Sequence, residues 1–288
     1  MKTIKWPLIF IGPCFLGLVI FTYIPVLMSF GLSFSYWNLL GAPKWVGLEN
    51  YFSVLTDPLF WKTLQNTCIF AGASVTLQVI ASLGVALLLS KVFRGVGIFR
   101  TLFFLPVITP MVSIALVWGW LYDPQYGGLN ALLKVFGVSP IAWLYDPHWA
   151  MPAIILLRVW KEMGYTMIIL LAGLQGIPEH LDESAALDGA NSWQRFWWVT
   201  LPMLSPTLFF VITVSLMNAL QAFDAVYLLT EGGPQHSTQV LVYWLFQNAF
   251  QFYKVGPASA IAYILFLLIL SVTMIQWWFR KRWVLHES

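Results

Sequence analysis

TLQNTCIFAGASVTLQVIASLGVALLLS, residues 63–90, contains no Asp, Glu, Lys or Arg. A run of 18 or more apolar residues is long enough to cross a bilayer core about 30 Å thick, so this stretch reads as a membrane-spanning helix. Working outward, further uncharged gaps occur at 6–43, 101–122, 196–223 and 255–279. A gap at 232–253 is different. Gln235, His236, Ser237, Thr238, Gln239, Gln247, Asn248 and Gln251 leave only 240–246 continuously apolar, and the segment reads as amphipathic or interfacial. Between Pro152 and Ile177 a further apolar stretch carries Arg158, Lys161 and Glu162 and counts as a sixth span. Composition agrees: 59% of the 288 residues are hydrophobic and 9% charged, against about 45–50% and 25% in soluble domains.

The expected fold is an all-α integral membrane bundle. Its six spans lie at about 8–34, 63–90, 99–121, 152–176, 204–226 and 257–279, in one domain over 1–288. Helices are required because backbone groups in lipid must be satisfied within the segment, and no alternating ten-residue strand pattern recurs. Orientation follows from the basic residues. With the N-terminus inside, Lys2, Lys5, Lys91, Arg94, Arg100, Arg195, Arg280, Lys281 and Arg282 are cytoplasmic, and Lys44, Lys62, Lys134 and Lys254 lie outside. These nine and four, with Arg158 and Lys161 in the membrane, account for all 15. Both termini are then cytoplasmic. The first apolar stretch is too long for a signal peptide and lacks a small-residue cleavage site, so it is expected to remain as a span.

Several functions are disfavoured. Cys14 and Cys68 form no C-x-x-C pair, and His148, His180, His236 and His286 are isolated, so no metal site is expected. No G-x-x-x-x-G-K-[ST] loop cradles a nucleotide and no G-x-S-x-G elbow offers a nucleophile. The net charge of +3 is explained by the inside loops and leaves no footprint for nucleic acid.

One loop stands apart. IPEHLDESAALDGANSWQRFWWVTLPMLSP, 177–206, includes a segment at 178–203 expected to fold as a helix–turn–helix elbow. Pro178 suits a helix edge, Glu179, Asp182 and Glu183 favour the positive first turn, and Gly189 can end the helix in a left-handed conformation. Ser192 is the expected N-cap of a second helix that carries Trp193, Phe196, Trp197 and Trp198 towards the interface. Four acids stand against Arg195 alone, among the small residues Ser184, Ala185, Ala186, Gly189 and Ala190. That pattern suits either a docking surface for a basic partner or a solvated helix that touches nothing.

ESAALDGA at 183–190, with Phe196 and the Leu-Pro at 201–202, resembles the EAA motif of the membrane permeases of binding-protein-dependent ABC importers. LLTEGGPQHST at 228–238, FDAVY at 223–227 and GLQGIP at 173–178 are similar to segments of the carbohydrate-uptake branch, which includes maltose and glycerol-3-phosphate importers. The resemblance implies that the elbow is a coupling helix seated in a cytoplasmic ATPase. Glu183 would contact the ATPase, Ala185 pack closely, Asp188 supply a second polar contact and Gly189 turn the chain. Ser184 replaces the usual second alanine. The resemblance also implies a second, similar permease as a heterodimer partner, two ATPase subunits and an extracytoplasmic binding protein in the bacterial inner membrane. ATP and Mg would bind in the partner ATPases, with no cofactor on this chain.

Two polar groups are candidates for a solute path. A charge at a helix centre costs about 2.5–3.5 kcal/mol on insertion scales, so Arg158, Lys161 and Glu162 are expected to face protein or water, with Tyr165 on the same helical face. Snorkelling near an interface with Arg158 paired to Glu162 is the other reading. Ser215, Asn218 and Gln221 recur every third residue before Asp224, as a path or as interhelical hydrogen bonds. By resemblance, the sugar-contacting positions of the maltose-type subunit fall at Lys161, Glu162, Tyr165, Ser215, Ala219 and Ala222. The chain departs from that pattern at 219 and 222, where alanines replace amides. Trp118, Trp120, Trp143, Trp149 and Trp160 suit either an interfacial belt or stacking on sugar rings. Pro106 and Pro110 can break the third span. Gly232, Gly233 and Pro234 would shape an outer loop near the docked binding protein. The expected function is therefore a permease subunit for a sugar, glycoside or polyol. An ion-coupled carrier using Arg158, Lys161 and Glu162 is the alternative.

Overall fold

A computed structural model describes residues 5–91 and 94–283, with side chains described from 10 to 280. Lys2 and His286, and the side chains of Lys5, Lys281 and Arg282, lie outside the described residues. Helices dominate: α1 (Lys5–Leu18), α2 (Ile24–Ser33), α3 (Glu49–Thr56), α4 (Pro58–Ser90), α5 (Val96–Ile108), α6 (Met111–Leu121), α7 (Gly128–Val135), α8 (Ala150–Gln175), α9 (Glu179–Leu187), α10 (Ser192–Arg195), α11 (Leu201–Met203), α12 (Ser205–Leu220), α13 (Asp224–Leu229), α14 (Leu241–Phe246) and α15 (Val255–Trp283). Wider π turns at Val19–Tyr23 and Phe196–Thr200 join α1 to α2 and α10 to α11. An antiparallel pair joins β1 (Ser35–Tyr36) to β2 (Lys44–Trp45).

Among the described residues three stretches are long and apolar enough to cross a membrane: Phe10–Ser33, Pro58–Ser90 and Val255–Arg280. Two further helix pairs qualify only as broken spans, α5 with α6 bent by 99° and the 192–203 segment with α12 bent by 67°. Helix α8 has 26 residues, about 39 Å at 1.5 Å per residue, and carries Arg158, Lys161 and Glu162. Phe10, Phe15, Phe21 and Leu27 leave the first stretch with an exposed apolar surface, as lipid requires.

The chain divides into two compact units, one formed by the described residues of 1–61 and 244–268, the other by those of 62–243 and 269–288. In the first, buried Asn50 donates to Ser33 O at 2.9 Å and Ser35 O at 3.0 Å, which ties α3 beneath the β pair. Gly256 lets α15 approach closely, since a Cβ there would collide with Ser35 O.

The second unit has its core where α4, α8 and α12 meet. Ala86 and Leu89 pack there with Met167, Leu170, Leu171, Leu204, Leu208 and Val211. Several polar residues of this unit's interior are paired. Gln78 Nε2 donates to Thr166 Oγ1 at 2.7 Å, Ser82 Oγ to Met163 O at 3.0 Å and Tyr122 OH to Ala153 O at 2.7 Å. Asn130 accepts from Ile141 N and Trp143 Nε1, both at 3.0 Å, and donates to Ile141 O at 2.8 Å. It thereby closes the loop that follows α7, a role the sequence pattern did not announce.

The segment after Gly232 differs from the interfacial expectation. Thr238, Gln239, Val240, Leu241, Tyr243, Trp244 and Asn248 are buried. Its main chain is tied to α4: Asn66 Nδ2 donates to His236 O at 2.8 Å and Gln239 O at 2.9 Å, while Leu241 N donates to Thr67 Oγ1 at 2.9 Å.

Candidate functional site

The elbow at 178–203 is built by its own residues. Helix α9 begins after Pro178 with Glu179 and Asp182 in its first turn, where negative charge meets the positive end of the helix dipole. It stops because Gly189 adopts φ +87°. Ala190 N then donates to Ala185 O at 3.0 Å and Gly189 N to Ala186 O at 3.1 Å, the paired closure of a Schellman motif. The next N-cap is Asn191, one residue before the expected Ser192. Its side chain accepts from Gln194 N while Gln194 Oε1 accepts from Asn191 N, both at 2.9 Å, a reciprocal capping box.

Arg195 Nη1 reaches Asp182 Oδ2 at 2.6 Å and so joins the two arms. Glu183, Ser184, Ala186, Asp188 and Gly189 remain exposed, Ala185 and Ala190 half-buried, and no residue of α9 is buried. Leu187 is 90% exposed, which is unusual for a leucine on a short helix. A groove of about 1220 Å³ lies behind the elbow, lined by Leu88, Lys91, Pro178, Asp182, Trp193 and Arg195 among others. The elbow therefore offers a rigid, acidic, small-residue surface with nothing of this unit covering it.

On α8 the charged residues fare differently from one another. Lys161 Nζ donates to Pro106 O and Val107 O at 3.3 Å and to Thr109 O at 3.1 Å. Arg158 sits 5.6 Å from the centroid of the Phe70 ring, a cation–π distance, with the Glu162 and Asp224 carboxylates as its charged neighbours. Neither carboxylate comes within 4.0 Å of its guanidinium among the described residues, so the Arg158–Glu162 ion pair of the alternative reading is replaced by longer-range attraction. Trp160 and Tyr165 are exposed. Trp160 instead packs 5.4 Å from Trp118, and both line an apolar pocket of about 470 Å³ along the α5–α6 bend.

The stripe on α12 is interrupted. The helix ends at Leu220, so Gln221 and Asp224 fall on either side of a break. Ser215, Ala219 and Ala222 are buried, with Ser215 Oγ 3.5 Å from Gln78 Nε2, whereas Asn218, Gln221 and Asp224 are exposed. Periodicity through 224 assumed one continuous helix, and the break removes that premise. At the 232–234 loop, Gly232 has φ +80°, and a Cβ on it would come within 2.9 Å of Gln239 Oε1 and 3.0 Å of Tyr243 Cε1. Thr238 Oγ1 donates to Gly233 O at 2.7 Å and lies 2.8 Å from Thr230 Oγ1, across a cis Gly233–Pro234 bond. Among the described residues no three His, Cys, Asp or Glu side chains gather to hold a metal ion.

The model of the binding-protein-dependent transport system inner membrane component matches residues 78–284. A probable ABC transporter permease, YesP of Bacillus subtilis, is 38% identical over 97% of this chain and 91% of its own length. The trehalose/maltose permease MalF of Thermococcus litoralis is 36% identical over 91% and 89%, and the lactose permease LacF of Rhizobium radiobacter 34% over 94% and 92%. A solved bacterial alginate ABC transporter, in complex with an alginate pentasaccharide-bound periplasmic protein, contains a chain of the same fold. Its TM-score is 0.84 at 23% identity, covering 96% of this chain and 95% of that one. With an uncovered elbow closing a broken-helix membrane chain, and a match over most of its length, the chain belongs to the family of inner-membrane components of binding-protein-dependent transport systems, as an ABC permease subunit.

Proposed function

We propose that this permease subunit carries a sugar, glycoside or related polyol across the cytoplasmic membrane, in an importer whose ATP hydrolysis occurs in separate subunits. The exposed elbow carries the reading. Its shape is fixed by Gly189 and the Asn191–Gln194 box, while its outward residues find no partner within the unit. Glu183 is the acid that meets the ATPase, Ser184, Ala185, Ala186 and Ala190 allow close approach, Asp188 adds a polar contact and Gly189 turns the chain.

In this reading six spans cross the membrane, the broken pairs and α8 included, with both termini and the elbow on the cytoplasmic side. Two ATPase subunits carrying ATP and Mg, a second permease as heterodimer partner and an extracytoplasmic binding protein complete the assembly. Gly232, Gly233 and Pro234 lie on the outer side towards that protein. Relatives named for trehalose, maltose and lactose support a saccharide solute. The solute path runs along the exposed Trp160, Tyr165, Asn218, Gln221 and Asp224 and the half-buried Glu162. Ser215, Ala219 and Ala222 pack behind it. Lys161 has three donors and all three are committed to carbonyls, so it has none left for an anion, and a neutral solute fits better than a phosphorylated one. The same commitment removes Lys161 from an ion-coupled carrier mechanism, for which no observation speaks.

The test is purification of the tagged chain from its native membrane in mild detergent, wild type beside Glu183→Ala and Gly189→Asp, with partners identified by mass spectrometry. An ATPase and a second permease should accompany wild type, and the variants should lose the ATPase while keeping the permease. A folded wild-type chain that brings no ATPase overturns the importer assembly. Variants that retain it overturn the elbow assignment. Stimulation of ATP hydrolysis in the reconstituted complex by trehalose or lactose with the binding protein, against sn-glycerol 3-phosphate, tests the solute class.

A further inference from the structure

Pro110 has no N–H and forces the residue before it out of helical backbone. Thr109 accordingly takes φ −76° and ψ 132°, α5 stops at Ile108, and the chain turns through 99° into α6. The last carbonyls of α5 thereby lose their i+4 donors, Pro106 O keeping a shorter-range one from Thr109 N at 3.3 Å. Within a membrane such groups must find partners in the protein. Thr109 Oγ1 takes Leu105 O at 2.9 Å. Lys161, arriving from α8, takes Pro106 O, Val107 O and Thr109 O at 3.1–3.3 Å.

The arrangement answers both needs at once. An ammonium has three protons and no acceptor, so three carbonyl partners exhaust it. Its positive charge also opposes the negative end of the α5 dipole. One turn further along the same face of α8, Gly164 meets the backbone of α5. A Cβ there would collide with Phe103 O and come within 2.7 Å of Phe103 C and 3.0 Å of Phe104 Cα. Backbone contact at Gly164 therefore sets the distance over which the Lys161 side chain must reach.

We propose that the broken end of α5 is a monovalent-cation site made of backbone carbonyls, which the chain fills with its own Lys161 ammonium, and that this tethered cation holds the bend between α5 and α6. The three recorded ligands are neutral oxygens, which suits a singly charged ion rather than a divalent one that calls for carboxylates. Shortening the side chain should empty the cage without removing it, and a free alkylammonium ion of the missing length should take the vacated place. The bend also shapes the apolar pocket lined by Pro106, Thr109, Trp118 and Trp160, so loosening it should reach that pocket. Nothing in the proposal depends on which solute is carried.

The experiment uses the full chain in lipid nanodiscs, with spin labels replacing the exposed Leu102 of α5 and Leu116 of α6. Lys161→Ala should lower the apparent melting temperature by roughly 5 °C or more and change the label-to-label distance. Millimolar propylammonium, the fragment removed, should restore both, whereas tetramethylammonium chloride of equal ionic strength, a cation with no N–H to donate, and 1-propanol should not. Wild type should be indifferent to all three. An unaltered Lys161→Ala protein, a defect that propylammonium leaves in place, or one that propanol repairs equally well overturns the proposal. Where Lys161→Ala fails to fold, Lys161→Arg and Lys161→Met decide. A wild-type distance in the arginine variant and an altered one in the methionine variant supports the cage, and equal behaviour overturns it.

Discussion

Arg195 Nη1 and Asp182 Oδ2 stand 2.6 Å apart and fasten the second arm of the elbow to the first. The pair is partly open to solvent, and such ion pairs contribute at most about 1 kcal/mol, less in salt. Arg195→Ala should therefore leave the melting temperature nearly unchanged. It should still reduce transport, because the angle between the arms is no longer fixed. Uptake and thermal melting of the same preparation check this. A large loss of stability with transport intact is the contrary result.

Gly189 tests backbone conformation alone, since a Cβ at this position would meet nothing within 4 Å. A left-handed residue with a Cβ costs roughly 1–2 kcal/mol, and asparagine tolerates it better than valine. Coupling to the ATPase should fall in the order Gly, Asn, Val. Substrate-stimulated ATP hydrolysis by the three proteins gives the order directly, and equal rates would show that the turn is not needed.

Gly232 faces both obstacles, a positive φ and near neighbours. Gly232→Ala should cost more than Gly189→Ala by exposing the loop at 230–240, seen as faster cleavage there in limited proteolysis. Comparable protection in the two variants would count against the packing described for Gln239 and Tyr243.

Gln78 is buried at the junction of α4, α8 and α12 and donates at 2.7 Å to Thr166 Oγ1. Hydrogen bonds between membrane helices average about 0.6 kcal/mol. Gln78→Leu should be nearly neutral in a melting assay. A loss several times larger would mean that the longer contact to Ser215 also matters.

Much of this could be read in the sequence, and the omissions share a cause. The uncharged run 63–90 gave its helix because spanning requires only length and apolarity, and α4 begins five residues earlier, at Pro58. Pro110 gave the break in the third span because its missing N–H acts locally. That Lys161 would face protein or water followed from the cost of burying charge. Its partners did not follow, because they are main-chain carbonyls 52 to 55 positions away in the chain, and a carbonyl leaves no mark in a residue pattern. The cap at Asn191 was legible in principle, since Gln194 three residues later is the second half of a capping box. Adjacent Ser192, an equally good cap by type, hid it. On α12 the stripe from Ser215 to Asp224 runs past the helix end at Leu220, because periodicity says nothing about where a helix stops.

The elbow holds its form through Gly189, the Asn191–Gln194 box and the Arg195–Asp182 contact, every one of them contained within its own 26 residues at 178–203. A segment that carries its own instructions is a portable cassette. Moved as one piece into another permease, it should bring its contour along and change which motor that permease answers to, whereas exchanging its outward residues singly would leave the recipient's own contour in charge.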